Sequence, residues 1–527
     1  MAIASMHAHP LTPAPGPSKE KKGLTRAAEI ILADLRALIA DLGKNGGLQN
    51  GSVYDTAQVV RLAPPEQGTD MAVEWLLEQQ HADGGWDNPR VLRARDTPTL
   101  AAILALHVRG KKDKRTRRAI ERGLKFLHKQ RPFWTWTEQP DDLLVGVELT
   151  LPRLLKDAKA LELKVPVGQY AALIKLGERR CEKLSRMKII PGTPPVHSWE
   201  GWGTEPDPAL LDKSGGVGLS PAATAAWLHA AEGRPELAES CASARRYLKN
   251  AEAGTDVGLP GVVPPSWPIN LMEQQWGLYA LLCAGLLNHP RLADVVSPHL
   301  DVLGASMRSE GIGFTEFFMP DGDCTAVTLA LLKSANRPVN LAVLDPYKSE
   351  HHCRTYPFES NASLTTTAHA VMALNIIGED SSRWVQALFR SQAEDGRWLL
   401  DKWQTSWLYV TAHVMHAIQD AAAMRTSIKT LLRLQKEDGG WGAGDHSTSV
   451  ETAFAVPVLI ELQDKGVEEG EAIRHALERA NRYLQRAYRP FVPNREPMWI
   501  AKALYCPFRM DRAFELSAML ALALKEG

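Results

Sequence analysis

The chain has 527 residues, 45% of them apolar and 23% charged, and its acids and bases cancel to a net charge of zero. That length calls for two domains with buried cores, and the neutral balance excludes a protein whose whole surface attracts nucleic acid or another polyanion. Six cysteines stand without C-x-x-C spacing, which points to reduced thiols in a cytoplasmic protein and away from a structural zinc site.

Residues 1–23 are rich in Pro, Ala, His and Lys and lack an apolar core, so they read as a disordered tail and not a signal peptide. Residues 24–45 comprise a first helix, with apolar side chains at helical spacing over 24–42, and a Gly/Asn-rich turn. From Asp55 onward amphipathic stretches alternate with Gly- and Pro-rich connections, and strand-type alternation is scarce; the pattern predicts an all-α fold. The basic run 111–118 reads as a solvated helix start. No apolar run is long enough to span a bilayer.

Within the helical pattern one segment recurs. It appears from Gln80 through Gly84 and Gly85 to Trp86, from Gln392 through Gly396 to Trp398, and from Gln435 through Gly439 and Gly440 to Trp441. Each copy reads as a helix end, a glycine turn with positive φ, and a Trp that stacks on the preceding Gln. Such clips join consecutive helices, and helix pairs of this size close into α/α barrels or stack as solenoids. The Pro/Gly-rich stretch 254–268 marks a crossing between two groups of repeats, placing one domain at 46–265 and a second at 266–527.

The second domain contains a loop that carries two acids one residue apart, Asp321 and Asp323, followed by Cys324, Thr325 and an apolar run. Taken alone this is a helix N-terminus, where Thr325 and the carboxylates act as caps. With the Gln…Trp segments and the many tryptophans around it, the loop resembles the D-x-D-D-T-A loop of class II terpene cyclases, whose acid protonates an alkene.

The resemblance to bacterial and plant class II diterpene cyclases runs nearly end to end. Ser52-Val53-Tyr54-Asp55-Thr56-Ala57 is similar to their S-x-Y-D-T-A opening, and Val145-Gly146-Val147-Glu148 with Pro152 to their G-F-E…P-x-L-L helix. His197-Ser198-Trp199-Glu200-Gly201 and Ser220-Pro221-Ala222-Ala223-Thr224-Ala225 resemble their L-E-G…S-P-S-x-T-A pair. Trp267-Pro268-Ile269-Asn270-Leu271-Met272-Glu273 stands where they carry Y-P-V-D-L-F-E, and Trp499-Ile500-Ala501-Lys502-Ala503-Leu504-Tyr505 is close to W-I-G-K-x-L-Y.

The resemblance implies two α/α barrels, called γ and β, with the active site between them and the γ domain inserted after the first helix of the β domain. It implies Asp323 as proton donor and Asp321 as its supporting carboxyl. Cys324 departs from the family Asp and, as a weak donor, is expected to bond Asp323. Aromatic faces shield the cation that follows; Trp276, Phe314 and Trp403 are candidates, beside Phe317, Phe318, Tyr356, Trp407 and Tyr409. His369 and, on the opposite domain, His197 are candidate proton acceptors. Lys502 and Lys402 are candidate ligands of a retained diphosphate, and Glu148, Glu138, Asp141 and Asp142 are candidate Mg2+ ligands. The implied reaction is protonation-initiated cyclisation of geranylgeranyl diphosphate to a bicyclic labdane- or halimane-type diphosphate. Farnesyl diphosphate and a diphosphate-free isoprenoid are variants. Two other classes stay open at this point: a prenyltransferase β-type subunit, although Gly322 stands where its D-x-C zinc pair needs Asp, and a non-catalytic helical toroid.

Overall fold

A computed structural model describes residues 25–136, 140, 143–359, 361–418, 420–492 and 495–526. The expected tail at 1–23 lies outside the described residues, as do Glu138, Asp141 and Asp142.

The helices are of two kinds. Gly322–Ser334, Trp407–Ile418 and Ser449–Asp464 bury nearly every residue, whereas Ser382–Arg390, Arg425–Arg433 and Gly470–Ala487 bury one stripe. A helix apolar all round must be covered on all sides, and a striped one covers it from outside. The fully buried kind accordingly forms inner rings. Asn270–Cys283, Gly322–Ser334, Leu364–Ile377, Trp407–Ile418, Ser449–Asp464 and Phe508–Glu526 pack each on the next, and the last returns to the first. A second ring runs through Val53–Leu62, Asp96–Arg109, Val147–Ala160, Trp199–Trp202 and Pro221–Ala231, and closes in the same way. The protein is thus a pair of α/α barrels.

The first helix, Arg26–Ala40, starts where the Thr25 hydroxyl accepts the Ala28 N–H at 3.2 Å. Its Ile31, Leu32, Leu35 and Ile39 lie in the core of the six-helix ring, and Asp34 pairs with Arg512 at 2.7 Å on the last helix. No helix of the described residues is long and apolar enough to cross a membrane.

The Gln…Trp clips work through hydrogen bonds. Trp86, Trp398 and Trp441 are fully buried and donate from Nε1 to the carbonyls of Leu76, Leu388 and Leu431 at 2.6, 2.7 and 2.8 Å. The Gln435 amide donates to Gly439 O and Ala476 O, both at 2.8 Å, so one side chain ties a turn to the next outer helix. Gly439 has φ +93°, and a Cβ there would lie 2.5 Å from Arg479 O, so only glycine fits.

One short hairpin departs from the all-helical expectation. Trp499–Ile500 pairs antiparallel with Leu504–Tyr505. Successive strand side chains point to opposite faces, and the two faces here serve different barrels. Trp499 and Tyr505 enter the six-helix core, while Leu504 enters the five-helix core with Ile500 against it.

Lys502 sits at the tip of this hairpin and corrects an expectation. Its side chain is 0% exposed, its Nζ lies 2.6 Å from Glu200 Oε1, and it donates also to the Ser220 hydroxyl. Tyr54 donates to the same Glu200 oxygen at 2.9 Å, and its ring lies 5.8 Å from the ammonium. Four of the family-like segments therefore meet at one buried ion pair between barrels. With no face open to a ligand, Lys502 is an interbarrel clamp in this structure and not a diphosphate ligand.

Two outcomes follow. Gln435→Ala strands two carbonyls and should destabilise the second barrel by about 1–3 kcal/mol, measured by chemical denaturation. Lys502→Met leaves the Glu200 carboxylate buried without its cation and should cost roughly 3–5 kcal/mol by the same measurement, most of it recovered in Lys502→Met/Glu200→Gln.

Candidate active site

The helix Gly322–Ser334 begins at Asp321, whose Oδ1 accepts the Cys324 N–H at 2.7 Å. Thr325 is not the cap. Already inside the helix, its hydroxyl accepts the Ile312 N–H at 3.0 Å and lies back toward Ile312 O at 3.3 Å, pinning the incoming chain to the helix. The cap fixes the direction of the first turn, and the first turn carries Asp323.

The two acids differ in surroundings. Asp321 is fully buried, and its Oδ2 has no hydrogen-bond partner. Burial pushes its carboxyl up to about 8, only partly offset by the Cys324 N–H, and the neighbouring Asp323 charge pushes the same way. An orphaned carboxyl oxygen in such a place belongs to a neutral acid. The Cys324 thiol, held well above its ordinary value by burial, has Asp321 as its hydrogen-bond partner, where Asp323 was expected.

Asp323 keeps a small opening, its side chain being 11% exposed. Its Oδ1 lies 2.6 Å from His369 Nδ1, and His369 Nε2 lies 3.0 Å from His413 Nδ1. The edges of Tyr279 meet both imidazoles, at 4.9 and 5.3 Å between ring centroids. His369, expected as an acceptor for the final proton, is instead fully enclosed and bound to the acid itself.

Trp276, expected against the substrate, is 2% exposed. It donates to the Tyr409 hydroxyl at 2.8 Å and stands edge-on to His369 at 6.0 Å, so it backs the histidine and does not line an opening. The less deeply buried aromatic side chains are elsewhere. Phe318 and Tyr356 from the second barrel cluster with Leu219 from the first, and Phe314, Phe317, Met319 and Trp403 pack half-buried against them. This cluster adjoins the acid loop and bridges the barrels. Trp403 donates to Thr355 Oγ1 at 3.1 Å, and Lys402 Nζ lies 5.2 Å from its ring centroid. Lys402 is paired with Glu359 at 2.6 Å yet keeps 19% of its side chain exposed, which separates it from Lys502. Two hollows, one beside Leu364 and Arg390 and the other beside Tyr488 and Arg512, take in none of these residues.

On the first barrel, His197 Nδ1 lies 2.7 Å from the Gly218 carbonyl and therefore carries the proton, leaving Nε2 as the basic atom. Burial, aided by Lys502, pushes its pKa down to about 3. Glu148 is half-buried, its carboxyl pushed up by burial, and has Arg180 at 3.7 Å. Among the described residues no group of three or more His, Cys, Asp or Glu side chains is placed to hold a metal ion. Of the four candidate Mg2+ ligands, Glu148 alone is among the described residues.

His413 was missed by sequence reasoning, although a signal was there. Thr411-Ala412-His413 repeats Thr367-Ala368-His369 on the next inner helix, and repeat proteins place equal positions at equal depth.

No family model matches the chain. It is 43% identical over 516 residues to (+)-kolavenyl diphosphate synthase of Herpetosiphon aurantiacus, spanning 94% of this chain and 98% of that one. It is 30% identical over 508 residues to an ent-copalyl diphosphate synthase of a Streptomyces species, spanning 90% and 93%. Among solved structures, the ent-copalyl diphosphate synthase of Streptomyces platensis superposes with a TM-score of 0.76 at 27% identity, over 94% of this chain and 99% of that one. Identity at this level over whole chains leaves the prenyltransferase-subunit and non-catalytic readings without support. The chain belongs to the class II diterpene cyclases.

Proposed function

We propose that this protein cyclises geranylgeranyl diphosphate to a bicyclic diphosphate, with Asp323 as the acid that starts the reaction. One observation carries the proposal: Asp323 is a nearly enclosed carboxyl, bonded on Oδ1 to His369 at 2.6 Å, beside an aromatic surface shared by two barrels. Relatives named for kolavenyl and copalyl diphosphates support a prenyl diphosphate as substrate.

Protonating an alkene carbon requires an acid that is neutral before the step and well stabilised after it. The first condition calls for a site with little water to hydrate a carboxylate, and only 11% of the Asp323 side chain meets solvent. The hydrogen bond from His369 supplies the second, since it strengthens as charge develops on Asp323. The proton passes from Asp323 to the terminal double bond. The resulting tertiary cation draws in the next double bond, each closure moving the charge along the chain, and loss of one proton ends the sequence. Phe314, Phe317, Phe318, Tyr356 and Trp403 offer ring faces to the cation and keep water from it. His197, with its basic Nε2, is the acceptor we propose for the final proton. The diphosphate takes no part in bond breaking, and Lys402 is the cation we assign to it; Mg2+ travels as its counter-ion. Six cysteines without C-x-x-C spacing suit a reducing compartment, and we place the protein in the cytoplasm.

Incubation with geranylgeranyl diphosphate and, separately, farnesyl diphosphate, both with Mg2+, followed by dephosphorylation and mass spectrometry, tests the reading. A cyclic alcohol from the wild type is expected, with Asp323→Asn slower by at least about 10²–10⁴-fold. Release of inorganic diphosphate in step with turnover would overturn it. The pH profile gives a second check. Asp321 is neutral below its pKa of about 8 and becomes a carboxylate as pH rises through it. A second negative charge beside Asp323 opposes loss of its proton, so kcat should fall above that pH at saturating substrate.

A further inference from the structure

His413 has no place in the steps above, yet it occupies the only hydrogen-bonding position behind His369 that the described residues provide. It is 2% exposed, on the helix Trp407–Ile418, and walled by rings: Tyr409 at 3.8 Å, Tyr279 at 5.3 Å, Phe514 at 5.8 Å and Phe454 at 6.2 Å. The other titratable groups facing the pair are Asp321, Cys324 and Asp323 on the acid helix, Cys283 beside Tyr279, and His416 one turn along, itself paired with Glu461 at 2.9 Å.

A neutral imidazole has one N–H to give. If His369 gives it from Nδ1 to Asp323, its Nε2 is a buried lone pair that needs a donor. With Nε2 protonated instead, Nδ1 presents a lone pair to Asp323 at 2.6 Å. The acid must then donate its own proton to His369. The second arrangement holds the reacting proton in the wrong place, and what decides between the two is the atom opposite His369 Nε2. That atom is His413 Nδ1, at 3.0 Å.

We propose that His413 is a positioning residue that donates from Nδ1 to His369 Nε2, so that His369 must donate from Nδ1 to Asp323 and the acid's transferable proton is left facing substrate. The enclosure suits the task. Burial keeps the His413 pKa well below its ordinary value, so the ring stays neutral and competes for no proton. Its pairing with His369 across two consecutive inner helices also fixes the plane of the His369 ring. The inference rests on the reading of Asp323 as the acid, and its test separates the two.

The experiment combines nitrogen NMR of histidine-labelled wild type with kinetics of three variants on geranylgeranyl diphosphate. Signals of His369 and His413 are assigned by their loss in His369→Asn and His413→Asn. The expected spectrum has Nδ1 protonated and Nε2 bare on His369, and Nδ1 protonated on His413. A bare Nδ1 on His369 overturns the proposal. In kinetics, His413→Phe should lower kcat by about 10–100-fold with KM unchanged, as loss of an orienting partner does elsewhere. His413→Asn, whose amide reaches the position of Nδ1, should restore most of that loss. Equal losses in both variants, or a loss confined to KM, would overturn the assignment. An Asp323→Asn protein as active as wild type would instead refute the acid itself.

Discussion

The cost of removing a carboxylate from water governs this molecule's chemistry. In bulk solvent Asp321 and Asp323 would both be charged at neutral pH and useless as acids toward a hydrocarbon. Inside the barrel, burial favours the neutral form of Asp321, whose Oδ2 has no partner, while Asp323 is bonded to His369. Two acids separated by a single glycine thus take different parts because one is sealed and the other is hydrogen-bonded and slightly open.

The barrels are what make such an interior possible. An inner ring of helices with no polar stripe has no reason to admit water, and the outer helices and Gln…Trp clips hold that ring closed. The surface offered to a substrate, however, belongs to neither barrel alone, since Leu219 comes from one and Phe318 and Tyr356 from the other. Its shape therefore depends on how the barrels are docked, and the hairpin 499–505 with its Lys502–Glu200 pair fixes that docking.

Much of this was legible in the chain. Helical periodicity and the recurring Gln…Trp segments pointed to barrels because both are local signals, repeated often enough to outweigh any single misreading. The acid pair was legible for the same reason, a short motif at a helix start. Contacts between distant residues were not. His369 was recognised as a chemical group, but its role depended on a partner 46 residues away. Lys502 looked like a ligand for phosphate because a lysine among aromatics does not reveal whether a buried glutamate stands opposite. Trp276 was read as lining because aromatic character does not distinguish the front of a histidine from its back. The hairpin escaped notice because two-residue strands are too short for alternation to register.

The placement of the helix Arg26–Ala40 against Phe508–Glu526 bears on how the protein comes into being. On the ribosome Arg26–Ala40 emerges before the surface it buries itself on, while the five-helix ring, whose members all lie between Val53 and Ala231, has its parts together sooner than the six-helix ring. The larger ring waits for its final helix, which is also the element that receives the first. Closure of that ring, and with it the enclosure of Asp323, thus follows synthesis of Phe508–Glu526, and a chain lacking that helix leaves the ring open.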